Sequence, residues 1–133
     1  MATNTGNPVN WFEIYVANAK RAKTFYESVL GIRLEKLDQP PGTGIEEMWL
    51  FPAQRDGTAP GAAGALVRMP GGPAGGNNSV LVYFSTPDCG ATAKKVPDAG
   101  GKIMKDKFAI GEHGHIALVQ DTEGNVIGLH STK

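Results

Sequence analysis

Glu13 is the residue whose type and setting best suit acid–base chemistry. It lies in the apolar run Trp11-Phe-Glu-Ile-Tyr-Val16. Alternation along a strand puts Trp11, Glu13 and Tyr15 on one face and Phe12, Ile14 and Val16 on the other. A carboxylate between two aromatic side chains is partly desolvated and suits a general base. Paired with Arg68 or a backbone amide, the same group would be structural. His130 is the second catalytic candidate, as an acid–base partner or a ligand for a substrate oxygen, with a structural strand-end histidine as the alternative. Trp11, Trp49 and Tyr83 are candidates for an aromatic wall around a flat or apolar ligand, or else ordinary core. Arg68 has the fork needed to clamp a carboxylate or phosphate, unless it is an exposed strand-edge arginine.

Composition narrows the classes these residues can serve. The chain has 133 residues, 41% hydrophobic and 20% charged, which fits one soluble globular domain or two small modules. Thirteen basic residues balance thirteen acidic ones, and no basic run points to nucleic acid or a membrane surface. Lys94, Lys95, Lys102, Lys105 and Lys107 read as a solvated face. One cysteine, Cys89, excludes an internal disulfide and reads as a small packing residue in a reducing, cytoplasmic protein. No stretch approaches the ~20 apolar residues of a membrane span, and Met1-Ala-Thr-Asn-Thr-Gly has no signal-peptide character.

The elements that must position the candidates occur twice. A strand at 9–16 is followed by a helix capped by Asn18 and stopped by Gly31, with Ala22, Phe25, Tyr26, Val29 and Leu30 at helical spacing. Strands at 33–37, 46–51 and 63–69 complete a first module, 9–69, with a Gly/Pro/Ala-rich loop at 52–62. A linker, 70–78, precedes a second module, 79–132: strand 80–85, Asp88 cap, helix 89–96, Gly100-Gly101 stop, then strands near 102–108, 115–120 and 126–130. Pro97 requires the second helix to end near Val96. A shift of 70 residues lays Phe12 on Val82, Asn18 on Asp88 and Gly31 on Gly101.

Three stretches carry a family resemblance: Trp11-Phe-Glu-Ile, Arg21-Ala…Phe25-Tyr-Glu-Ser-Val-Leu-Gly31, and Asp121-Thr-Glu-Gly-Asn-Val-Ile-Gly-Leu-His130. Together they resemble the vicinal-oxygen-chelate superfamily of glyoxalases, bleomycin-resistance proteins and extradiol dioxygenases, and within it a bacterial branch related to lactoylglutathione lyase. The resemblance implies an α+β chain of two βαβββ modules forming a curved half-barrel cavity, a small-molecule ligand and a homodimer. With Phe12, Ile14, Phe25, Leu30, Val82, Phe84, Ile116, Leu118, Ile127 and Leu129 buried against the helices, Trp11, Glu13, Tyr15, Leu81, Tyr83, Gly128 and His130 are left to line that cavity. It also implies metal ligands on the first and last strands of each module. Here those positions read Trp11, Leu81 and Gly128, and the fourth falls in a stretch, 57–82, with no Asp, Glu or His. The expectation is therefore no metal and no cofactor. The protein is then either a lyase- or isomerase-like enzyme using Glu13 and His130, with Trp11, Tyr15, Trp49, Arg68, Leu81 and Tyr83 binding substrate, or a sequestration protein without catalysis. A third reading keeps a metal on relocated ligands, Glu13 and His130, each two residues beyond a vacated position.

Overall fold

The computed structural model describes residues 6–53, 62–72 and 79–133. Most of the expected loop 52–62 and linker 70–78 lies outside them, as do residues 1–5. The chain divides into two compact units, Trp11–Val80 and Met1–Asn10 with Leu81–Lys133.

The first unit is built from β1 (Val9–Tyr15), α1 (Ala19–Leu30), β2 (Glu35–Lys36), β3 (Glu47–Leu50) and β4 (Ala63–Arg68). The strands lie in the order β2-β3-β4-β1, antiparallel except for the parallel β4–β1 pair that the helical crossover permits. Asn18 caps α1, its side chain accepting from the Arg21 N–H at 2.9 Å. Gly31 ends the helix in the left-handed region, φ 65°, a conformation that costs a side chain but not a glycine. The Glu27 carboxylate then accepts from the Leu34 N–H at 2.9 Å and holds the chain as it leaves the helix.

The second unit repeats the plan with β5 (Val80–Ser85), α2 (Cys89–Lys94), β6 (Lys102–Ala109), a short 3-10 turn (Gly111–His113), β7 (His115–Gln120) and β8 (Val126–Ser131). Its order is β5-β8-β7-β6, with β5–β8 parallel and the other pairs antiparallel. Asp88 caps α2 through the Gly90 and Ala91 N–H groups, and the helix stops before Pro97 as that residue requires. Between β7 and β8, the Asp121 carboxylate accepts from the Glu123 and Asn125 N–H groups and from the Asn125 amide, while Gly124 takes φ 88°. β6 is the outermost strand of this order, carries Lys102, Lys105 and Lys107 exposed, and slips register twice against β7.

Two expectations about packing are corrected. Phe25 and Leu30 are each 56% exposed rather than core. The inward stripe of α1 runs Ala19, Ala22, Lys23, Tyr26, Glu27, and 100° per residue turns Phe25 and Val29 away from it. Tyr26 meets Phe51, which meets Phe12, at ring distances of 5.7 and 5.2 Å. In the second unit the residues of β7 that join Cys89, Ala93 and Leu129 under α2 are Ala117 and Val119, not Ile116 and Leu118. The register pairs Ala117 with Leu129 and Val119 with Ile127, so the bulkier Ile116 and Leu118 face the other way.

Glu27, Asp88 and Asp121 are held below their ordinary carboxylate values. The first causes are the Leu34 N–H for Glu27, the Lys107 ammonium for Asp88 and the Asn125 side-chain amide for Asp121. Because each folded value lies below the unfolded one, each charge stabilises the fold above the ordinary range, about 3.9 for Asp and 4.3 for Glu, and that contribution is lost as pH falls through and below it. Thermal melts between about pH 6 and 2 should therefore show Tm falling below about pH 4, with a shallower fall in Asp121→Asn. An unchanged slope in that variant would refute the assignment.

Candidate functional site

On the first unit, β1 turns Trp11, Glu13 and Tyr15 to one face, as strand alternation demands. The Glu13 carboxylate accepts from Trp11 Nε1 at 2.9 Å through Oε2 and from Tyr15 Oη at 2.6 Å through Oε1. Both rings lean toward the residue between them, and Glu13 is only 8% exposed. Register places Ala63, Ala65 and Val67 of β4 beside these three, small residues that leave room for the rings. Met48, Leu50 and Met69 complete an apolar setting around Trp11 and Tyr15. Charge-assisted hydrogen bonds of this length in an apolar setting fix both the carboxylate and the rings.

Trp49 and Arg68 are on the opposite face. Trp49 pairs with Leu66 and Glu47 with Arg68, and this row continues through Gly64 and Phe12 on the side that α1 covers. Lys23 of α1 sits 5.1 Å above the Trp49 ring, and Arg68 pairs with Glu46 at 3.3 Å. A wall shared by Trp11 and Trp49 is thus ruled out by the pleat, and so is an ion pair between Arg68 and Glu13.

On the second unit, Leu81 and Tyr83 of β5 share a face with Ile116 and Leu118 of β7 and with Gly128 and His130 of β8. Leu81 and Tyr83 are buried. His130 Nε2 lies 2.6 Å from the His113 carbonyl oxygen, so it must donate there, and Nδ1 is left to accept from the Asn10 amide at 3.4 Å. Asn10 went unnoticed in the sequence, where the one available signal is a polar residue inside the apolar run 9–16. His115, paired with Ser131 across the ladder, projects to the α2 side and does not join His130.

The positions from which the family resemblance implies metal ligands offer no donor set. Tyr83 pairs with Gly128 and Glu13 with Ala65, equivalent places in the two modules, so the fourth position is Ala65. An indole N–H donates and has no lone pair to give, and Leu, Ala and Gly side chains have no polar atom. The residues at Trp11, Ala65, Leu81 and Gly128 do not fit a divalent ion. Among the described residues no group of three or more His, Cys, Asp or Glu side chains is placed to hold one.

Tyr15→Phe removes a hydrogen bond to a buried charge and should cost about 1.5–3 kcal/mol of stability in urea denaturation. Arg68→Ala, which removes a half-exposed ion pair on the other face, should change it by less than about 1 kcal/mol. The reverse order would mean that the Glu13 cluster is not holding its face together.

Comparison with known proteins agrees with this architecture. The profile of the Glyoxalase/Bleomycin resistance protein/Dioxygenase superfamily matches residues 9–129. The chain is 26% identical over 129 residues to proteins named "Putative glyoxylase CFP32" from Mycobacterium bovis and Mycobacterium tuberculosis, covering 97% of this chain and 45% of each relative. The chain thus spans about half the length of these relatives. In structure it resembles methylmalonyl-CoA epimerase from Mycobacterium tuberculosis, with TM-score 0.68, 15% identity, and coverage of 100% of this chain and 93% of that one. It equally resembles the hypothetical protein BH1468 from Bacillus halodurans C-125, with TM-score 0.69, 13% identity, and coverage of 97% and 96%. Those likenesses show the fold, and the profile match shows the family. With its α+β modules and its three sequence signatures, the chain belongs to the Glyoxalase/Bleomycin resistance protein/Dioxygenase superfamily.

Proposed function

We propose that this protein binds a small molecule and works on it without a metal, as a lyase- or isomerase-like member of its family with Glu13 as the proton-moving group. The observation that carries the reading is the contrast on β1: Trp11 at the ligand position has no donor for a metal, while Glu13, two residues on, is buried and held by Trp11 Nε1 and Tyr15 Oη. In this reading Glu13 takes a proton from an acidified C–H of the substrate and returns it at the same or a neighbouring carbon, so the carboxylate is regenerated each cycle. Tyr15, already 2.6 Å from Oε1, shares the proton or turns its hydroxyl to the substrate oxygen that gains charge. On their own module, Leu81, Tyr83 and His130 are proposed as small-molecule-binding residues. Assembly as a homodimer and residence in the cytoplasm belong to the same proposal.

Sequestration without catalysis is the second reading, and one observation favours it. Both Glu13 oxygens already accept hydrogen bonds from the protein's own side chains, which suits a group that braces an aromatic surface as well as one that moves protons.

Elemental mass spectrometry of purified protein, before and after chelation, tests the metal-independent reading, with no stoichiometric metal as the expected result. Metal that returns after stripping overturns it and makes Glu13 and His130 the ligands to examine. Solvent-deuterium incorporation followed by NMR separates enzyme from sequestration, starting from lactoylglutathione and from methylmalonyl-CoA, the molecule bound in one structural neighbour. Catalysis predicts exchange that falls about 10²–10⁴-fold in Glu13→Gln with binding retained. Tight binding of a compound that neither protein exchanges favours sequestration.

A further inference from the structure

Tyr83 and Gly128 stand opposite each other in the parallel β5–β8 pair. A Cβ built on Gly128 would lie 2.8 Å from Tyr83 Cγ and closer still to Cδ2 and Cε2. The ring therefore lies flat on the glycine and fills the space from which any side chain at 128 would project. Gly128 is not among the glycines with positive φ, so its backbone makes no demand for glycine. The ring makes it. Tyr83 is 5% exposed, and the atoms nearest the added Cβ include Cγ at the root of the ring, which cannot swing clear as the far end of a flexible side chain could.

Phe12 lies on Gly64 in the same manner in the first module, where the ring belongs to the Phe51 and Tyr26 cluster beneath α1. Tyr83 differs in its face. It covers Gly128 on the side away from α2, the face that also carries Leu81, so the ring occupies the one place on β8 where the family plan calls for a ligating side chain.

We propose that Tyr83 and Gly128 form a lock that bars any side chain, and with it any metal-ligating group, from the last-strand position of the second module and puts an aromatic ring there instead. The lock rests on the metal-independent reading and explains it from this chain's own packing: the missing donor at 128 and the ring of Tyr83 are one coupled feature. A Glu or His at 128 is excluded by volume before its chemistry matters.

A double-mutant cycle tests the coupling without reference to metal. Gly128→Ala should lower Tm by about 5 °C or more in the wild-type background, as overpacking does. In the Tyr83→Ala background, where the methyl has room, the same change should lower it by less than about 1 °C. Equal losses in both backgrounds, or no loss in the first, would overturn the lock. Should Tyr83→Ala not fold, NMR of the wild-type protein decides, because glycine α-protons beneath an aromatic face resonate well upfield. Gly128 α-protons at ordinary glycine positions would overturn the proposal. A stoichiometric metal in the wild-type protein would sink the metal-independent reading and leave the cycle's result standing, so the two failures are distinguishable.

Discussion

A carboxylate removed from water must be given donors, and the face of the first module is arranged around that requirement. Glu13 is met by its own strand: the residues two before and two after it carry an indole N–H and a phenol O–H that close on its oxygens. The bonds tie down two large rings as much as they satisfy one charge. The neighbouring strand answers with Ala63, Ala65 and Val67, since anything larger would compete with the rings for volume. Bulk is displaced to the other side of the sheet, where Phe12, Phe51 and Tyr26 pack under α1.

The residues by which the family is recognised are mostly not the residues that would do its chemistry. Glu27 of the helix motif turns to the Leu34 N–H, and Gly31 closes the same turn. Asp121 of the last motif gathers three donors from the turn it begins. These groups hold the corners of the modules in which they lie. The strand positions from which the family resemblance implies ligands carry no such obligation: Trp11, Leu81 and Gly128 lie within strands and close no turn.

That division also explains what could be read before the fold was seen. Caps, stops and tight turns depend on local chemistry, and Asn18, Gly31, Asp88 and the Asp121 turn lie where the sequence places them. The trio Trp11, Glu13 and Tyr15 needed only the period of a single strand. Trp49 and Arg68 needed more, because whether a residue on β3 or β4 shares the face of Glu13 depends on register across strands joined through a long loop, which alternation within one strand does not supply. The same limit misassigned Ile116 and Leu118, where side-chain size pointed one way and the β7–β8 register the other. Phe25 and Leu30 failed for another reason: apolar spacing on α1 fits two overlapping stripes, and the polar-looking one, with the ammonium of Lys23 over Trp49, is the one that packs.

The outer strand of the second unit has a consequence for the protein in crowded solution. An edge strand is a growth front, a row of backbone groups onto which another chain can crystallise. On β6 that front is broken twice by dislocations in its ladder and studded with Lys102 and Lys105. An identical strand arriving antiparallel would meet like charges and a hydrogen-bond spacing out of step with its own. The edge therefore works as a terminator, and sheet formation in this unit stops at the strand where the chain itself stops it.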